Sequence, residues 1–319
     1  MHLERTLCGF QKPKPTTKLG FSKFCTFRPK WCVSAGSSGT HAVCVCAMHQ
    51  NVILLLHAAH IEETFQELIA MAVRDIKNRD CVLQRCSNCP GFGNVHGKLK
   101  DMFEDDCEEI NFEQWVSVNR TELITQSLLV SEYIQLLLSK LTALTPHHYI
   151  AHSQSSYLKK RKEEMNEKSA LVLMDFAENY SFHVQDEAQG YHWTHQSCTV
   201  HPVVCYYKSS SNELNHLNLC FLSEELQHDT TMVYLIQEKT MQIIKDIVPN
   251  LNNVEYFSDG CAAQYKNKSF YNLCMQKQDF GVEATWLFFA TSHGKSPCDG
   301  IGGTVKRATA TENLRQASR

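Results

Sequence analysis

Three short stretches of the chain each close an apolar run on a carboxylate. They read L-V-L-M-D-F-A-E-N-Y around Asp175, V-E-Y-F-S-D-G-C-A-A-Q-Y-K-N around Asp259, and F-F-A-T-S-H-G-K-S-P-C-D-G-I-G-G around Asp299. A buried run that ends on an acid sets that acid at the edge of a sheet. Carboxylates brought together raise one another's pKa unless a cation neutralises them. Two Mg²⁺ or Mn²⁺ ions about 3.5–4 Å apart would neutralise them and stabilise both the attacking and leaving oxygens of an in-line phosphoryl displacement. Mg²⁺ takes oxygen ligands and keeps several waters, so few side chains suffice. The chemistry implied is cleavage of a nucleic-acid backbone. A single Asp-Gly is an ordinary turn; order and strand context distinguish the set.

The elements that must position these acids follow from periodicity. Strands are expected at 170–176, 199–207, 216–222, 254–258 and 284–290, with Pro202 demoting part of the second to an edge or a bulge. Helices are expected at about 230–248 and 262–277, with a last one beginning near Asp299. This β-β-β-α-β-α-β-α order belongs to an α/β mixed sheet with helices on both faces. Strand alternation puts Asp175 and Asn179 on one face. Gln264, Lys266 and Asn267 follow Asp259 and suit a phosphate backbone. Glu312, thirteen residues beyond Asp299 on the same helix, is the alternative third acid.

As a set, D-F-A-E-N-Y, S-D-G-C-A-A-Q-Y-K-N and S-H-G-K-S-P-C-D-G-I-G-G-T-V-K-R resemble the catalytic-core motifs of eukaryotic cut-and-paste DNA transposases of the DDE/D type, over about residues 170–310. The resemblance assigns no superfamily. It implies an RNase H-like core, strand cleavage and strand transfer with divalent cations, transposon ends and target DNA as partners, and a place in the nucleus. It makes Asp175, Asp259 and Asp299 the three acids, with His293 and Lys295 flanking them and ordering substrate phosphate. Joining two DNA ends needs two active sites or one reused, so a homodimer is the expectation. The other readings are a domesticated, inactive descendant that binds DNA or partners, and an RNase H-like nuclease that hydrolyses without joining. The chain stops inside its last predicted helix, which suggests a truncated core.

The first third carries a different chemistry. Nine of the fifteen cysteines lie in the first 107 residues. Cys44-x-Cys46-x-x-His49 and Cys81-x-x-x-x-Cys86-x-x-Cys89 bracket a helix expected from about Glu62 to Asn78, and paired knuckles of this kind suit tetrahedral Zn²⁺. Six candidates exceed four positions; Cys44, His49, Cys86 and Cys89 are the first choice. The zinc would be structural. The full reading is therefore an RNase H-like mixed sheet flanked by helices, preceded by a small Cys/His-rich zinc-binding helical module. Its parts are a basic irregular arm at 1–40, the zinc module at 41–110, a helical connector at 111–168 and the catalytic core at 169–319. Within the connector, Ser131 caps a helix through Leu144 and a second runs over about 148–166. The net charge of −3 does not by itself point to a polyanionic partner, but basic residues crowd the first 32 positions. The longest apolar run, Val52 to Leu56, is far short of the roughly 20 residues a membrane span needs.

Overall fold

The computed structural model describes residues 46–103, 108–182, 188, 190, 195–275, 277–294 and 296–316. The basic arm, Cys44 and Lys295 lie outside them.

The chain first builds a helical module. Helix α1 (Ala47–Ala58), α2 (Phe65–Ala72), the single turn α3 (Arg79–Val82) and α4 (Gly93–Lys100) lead into a hairpin of β1 (Glu109–Ser117) and β2 (Thr121–Leu129). Helix α2 is shorter than the predicted 62–78. A capping box between Thr64 and Glu67 starts it, and Val73 leaves in an extended conformation. The predicted helical connector opens instead with this hairpin, whose alternate residues Ile110, Phe112 and Gln114 are buried while their neighbours face water. The module's core runs from Val52 to Leu144.

The two helices expected on either side of Pro146 are one, α5 (Val130–Glu164), 35 residues long. Proline in a helix interior forfeits a backbone hydrogen bond and costs about 3 kcal/mol. Burial on both sides offsets it: Tyr133, Leu137, Leu141 and Leu144 join the module core, and Leu158 packs on the sheet.

The sheet comprises β3 (Ser169–Met174), β4 (Tyr180–Ser181), β5 (Ser197–Lys208), β6 (Leu214–Ser223), β7 (Asn253–Ser258) and β8 (Glu283–Phe288). Its main path is β6-β5-β3-β7-β8, with the short β4 also on β5. Strand β5 runs antiparallel to both of its neighbours β3 and β6, whereas β3, β7 and β8 run parallel. Helix α6 (Thr230–Ile247) joins β6 to β7; α7 (Lys268–Cys274) and the turn α8 (Lys277–Phe280) join β7 to β8; α9 (Pro297–Gln316) follows β8. The predicted helix over 262–277 is cut to α7 and α8, because residues 262–267 form turns before Asn267 caps α7.

Alternation along the strands sorts two cores. Ala170, Val172 and Met174 pack with Met232, Ile236 and Ile244 of α6. Leu171, Leu173 and Phe257 face the other way, with Leu158 of α5 and Cys298 and Ile301 of α9. The fold is thus a mixed α/β sheet with helices on both faces. Pro202 does not put its strand at an edge: β5 is interior. Its missing N–H falls opposite Asp175, one residue past the end of β3, where the ladder closes with the Asp175 N–H donating to the Pro202 carbonyl at 3.4 Å.

Candidate functional site

Strands β3 and β7 are adjacent and parallel, with Leu173 beside Phe257. Continuing that register by two residues brings Asp175 beside Asp259, at the carboxyl ends of strands whose chain continues in opposite directions across the sheet. Crevices of that kind are where open α/β sheets bind ligands. Both acids follow the odd-numbered side chains Leu171, Leu173 and Phe257, so both fall on the α9 face, where Asp299 occupies the first turn.

The electrostatics agree with that placement. Burial, then the neighbouring carboxylates of Asp259 and Asp299, push the Asp175 carboxyl up to about 7. Asp259 accepts a hydrogen bond from the Cys261 N–H at 3.2 Å, and Asp299 accepts one from the Ser296 N–H at 2.8 Å. Close packing holds α9 here: a Cβ on Gly302 would lie 3.1 Å from Ala177 Cβ and 3.4 Å from Pro202 Cγ. The Cys298 thiol donates to the Leu173 carbonyl at 3.5 Å and is pushed up to about 12, chiefly by burial. Beneath the site Tyr265 is buried against His201, 3.1 Å away, and burial raises its hydroxyl well above the usual range. Glu312 lies on the same helix as Asp299 but roughly 20 Å along its axis at 1.5 Å per residue, and Asp175 is perturbed by Asp259 and Asp299.

The supporting residues divide. Strand β3 stops at Met174, so Asn179 is outside any strand; its Oδ1 meets His228 Nε2 at 2.7 Å and accepts from the Thr199 hydroxyl at 3.1 Å. Asn267 spends its side chain on structure. Its Oδ1 accepts from the Phe270 N–H at 2.7 Å, and its Nδ2 donates to Thr230 Oγ1 at 2.9 Å and the Ala262 carbonyl at 2.8 Å. The Gln264 carbonyl accepts from the Thr230 hydroxyl, and Lys266 is exposed with its ammonium 5.7 Å from the Phe288 ring centre.

The cysteines and histidines form two groups rather than one. Cys81, Cys86 and Cys89 bring their sulfurs within 4.8 Å of one another. The Asn88 backbone lowers the Cys86 thiol pKa, burial and the neighbouring thiols raise that of Cys81, and the Arg74 N–H donates to Cys89 Sγ at 3.4 Å. Cys46 and His49 belong elsewhere, with His147 of α5 and His293 of the β8–α9 connection, again within 4.8 Å. The first-choice quartet is therefore corrected: His49 is separated from Cys86 and Cys89 because α1 packs along α5 rather than over the second knuckle. Either group could hold a metal ion such as zinc. In the second, burial and then repulsion from His293, His148 and His147 push the His49 imidazole down to about 4, and burial lowers the other histidines. Neutral imidazoles keep the lone pairs that a metal needs. His147 was not foreseen. The signal available was the His-His pair after Pro146, together with a Cys-x-x-His half-site short of two ligands.

Fold and site together define a mixed α/β protein with clustered carboxylates at the strand ends and Cys/His groups able to hold metal. The chain belongs to the family described as a domain of unknown function, DUF8701, which matches residues 154–319; a second domain of unknown function, DUF8700, matches residues 47–145. No curated protein and no solved structure matches the chain. Among the described residues no helix is long and apolar enough to cross a membrane.

Proposed function

We propose that this chain is a transposase-like polynucleotidyl transferase with an RNase H-like core, which cuts and joins DNA strands using Asp175, Asp259 and Asp299 with two Mg²⁺ or Mn²⁺ ions. The observation that carries the reading is the convergence of three acids, Asp175 and Asp259 just past the ends of adjacent parallel strands and Asp299 in the first turn of α9, close enough for the other two to help raise the Asp175 carboxyl. A cluster of ionised carboxylates is unfavourable unless a proton or a cation neutralises it, and a divalent ion would do so above neutral pH. The ions would supply charge neutralisation at the attacking and leaving oxygens. The protein's part is to fix two acids on adjacent strands, bring the third on α9, and yield the Asp175 proton when the site fills. The central position of the first strand, with helices on both faces, supports the RNase H-like fold. In this reading the Cys/His groups carry structural zinc, DNA is the partner, a homodimer handles the two ends, and the work is done in the nucleus.

The test uses the full chain with supercoiled plasmid and Mn²⁺. Nicking is expected, and Asp175→Asn and Asp259→Asn should each abolish it. Nicking that survives both substitutions would refute the site, and nicking without strand joining would move the reading to a nuclease.

A further inference from the structure

His293 was expected beside substrate phosphate, yet its ring is turned to a different set of partners. Its Nε2 lies 3.1 Å from His147 Nε2, which in turn lies 3.2 Å from Cys46 Sγ. Zinc–sulfur and zinc–nitrogen bonds of about 2.3 and 2.0–2.1 Å put the ligand atoms of a tetrahedron roughly 3.3–3.6 Å apart. These two separations are therefore close to those of a filled centre, and all four ligand atoms lie within 4.8 Å of one another. His49 completes the set: its Nε2 meets His148 Nδ1 at 3.0 Å, leaving a buried Nδ1 with no partner. An outer histidine that fixes the tautomer of an inner one is the usual surrounding of a metal ligand. A buried imidazole nitrogen with no partner, as His49 Nδ1 is, is unfavourable unless an ion takes its lone pair.

The four residues come from distant parts of the chain. Cys46 and His49 open the helical module, His147 follows Pro146 in the middle of α5, and His293 lies between β8 and the acid-bearing helix α9. That connection is shaped to approach the carboxylates. Ser292 adopts φ 62°, and a Cβ on Gly294 would lie 3.6 Å from Asp259 Cβ. The geometry points to a zinc centre of Cys46, His49, His147 and His293 that clamps the β8–α9 connection to the helical module and so fixes the wall of the carboxylate site. Zinc here is a fastener between the two family segments, distinct from any ion held by the carboxylates. Its existence does not depend on the proposed DNA chemistry; only its bearing on the acids rests on that reading.

The experiment removes the other thiol group first. In the full chain with Cys81, Cys86 and Cys89 all changed to Ser, mass-spectrometric metal analysis should find about one zinc per chain, as one closed site requires. Adding Cys46→Ser or His293→Asn should abolish it while circular dichroism stays native. Should the triple variant not fold, Co²⁺ loaded into the otherwise unaltered chain carrying His293→Cys provides the check, because a second thiolate must strengthen the thiolate-to-cobalt absorption. Hydrogen exchange reads the clamp: chelation should speed exchange of the Phe289 and His293 amides by about tenfold or more. Zinc content indifferent to Cys46 and His293, cobalt absorption unchanged by His293→Cys, or loop exchange unchanged by chelation would overturn the proposal. Because none of these readouts involves DNA, a failed nicking assay would leave the centre standing.

Discussion

Asp175→Asn should stabilise the protein above neutral pH in the absence of divalent cations. The Asp175 carboxyl is raised from 3.8 to about 7, first by burial and then by Asp259 and Asp299. A raised carboxyl favours the folded chain while protonated. That support is complete below pH 3.8, fades as the unfolded chain begins to ionise, and is gone once pH passes about 7. Each tenfold change in proton affinity is worth about 1.4 kcal/mol, so the full excursion amounts to about 4 kcal/mol before solvent screening. Between about pH 5 and about pH 8 the unaltered protein should lose about 2–3 kcal/mol relative to Asp175→Asn. Urea denaturation at the two pH values, with zinc present and Mg²⁺ and Mn²⁺ removed, measures this directly. Adding Mn²⁺ at the higher pH should restore the unaltered protein and leave the variant unmoved. Parallel pH profiles for the two proteins would refute the reasoning, since they would mean that Asp175 does not share a buried pocket with the other acids.

Other consequences are simpler to read. Arg161 on α5 holds the nearly buried Glu255 of β7 through Nε at 2.7 and 3.0 Å, so Arg161→Met should cost about 3 kcal/mol by stranding that charge, and adding Glu255→Met should recover much of it, both measured by thermal unfolding. Gly302→Val should cost about 1–3 kcal/mol, because α9 cannot approach Ala177 with a larger side chain, and calorimetry should show weaker Mn²⁺ binding as α9 lifts. Asn267→Ala should lower stability by about 1–2 kcal/mol through the lost cap on α7. DNA retention in a filter assay should change less for Asn267→Ala than for Lys266→Ala, because the Asn267 donors are already used internally.

Much of the sheet was legible because its strands are short apolar runs ended by turn residues. The strands expected at 170–176 and 254–258 form as Ser169–Met174 and Asn253–Ser258, and α6 shows its buried face at helical spacing through Met232, Ile236 and Met241. Continuity across Pro146 was not legible, since a local rule about proline was outweighed by cores at both ends of α5. The β1–β2 hairpin escaped notice because its two-residue alternation is carried by few apolar side chains among Glu, Asn and Gln. The position of the carboxylates followed from strand ends, a local feature. The partition of Cys and His into two groups did not, because it depends on which helix packs where: Cys46 meets a histidine 101 residues away, and that histidine meets another 146 further on.

The strand order also governs how the molecule is made. Strand β3 is the first of the sheet to be synthesised, all six of its residues are buried, and it ends between β5 and β7. At about 5–20 residues per second, the roughly 80 residues separating β3 from β7 take about 4–16 s to emerge. Throughout that interval β3 presents an open apolar edge, the kind of surface on which chains aggregate. Synthesis of this protein therefore carries a window of vulnerability that closes only when β7, the strand leading into Asp259, arrives, so the half-made sheet is the species on which chaperones would act.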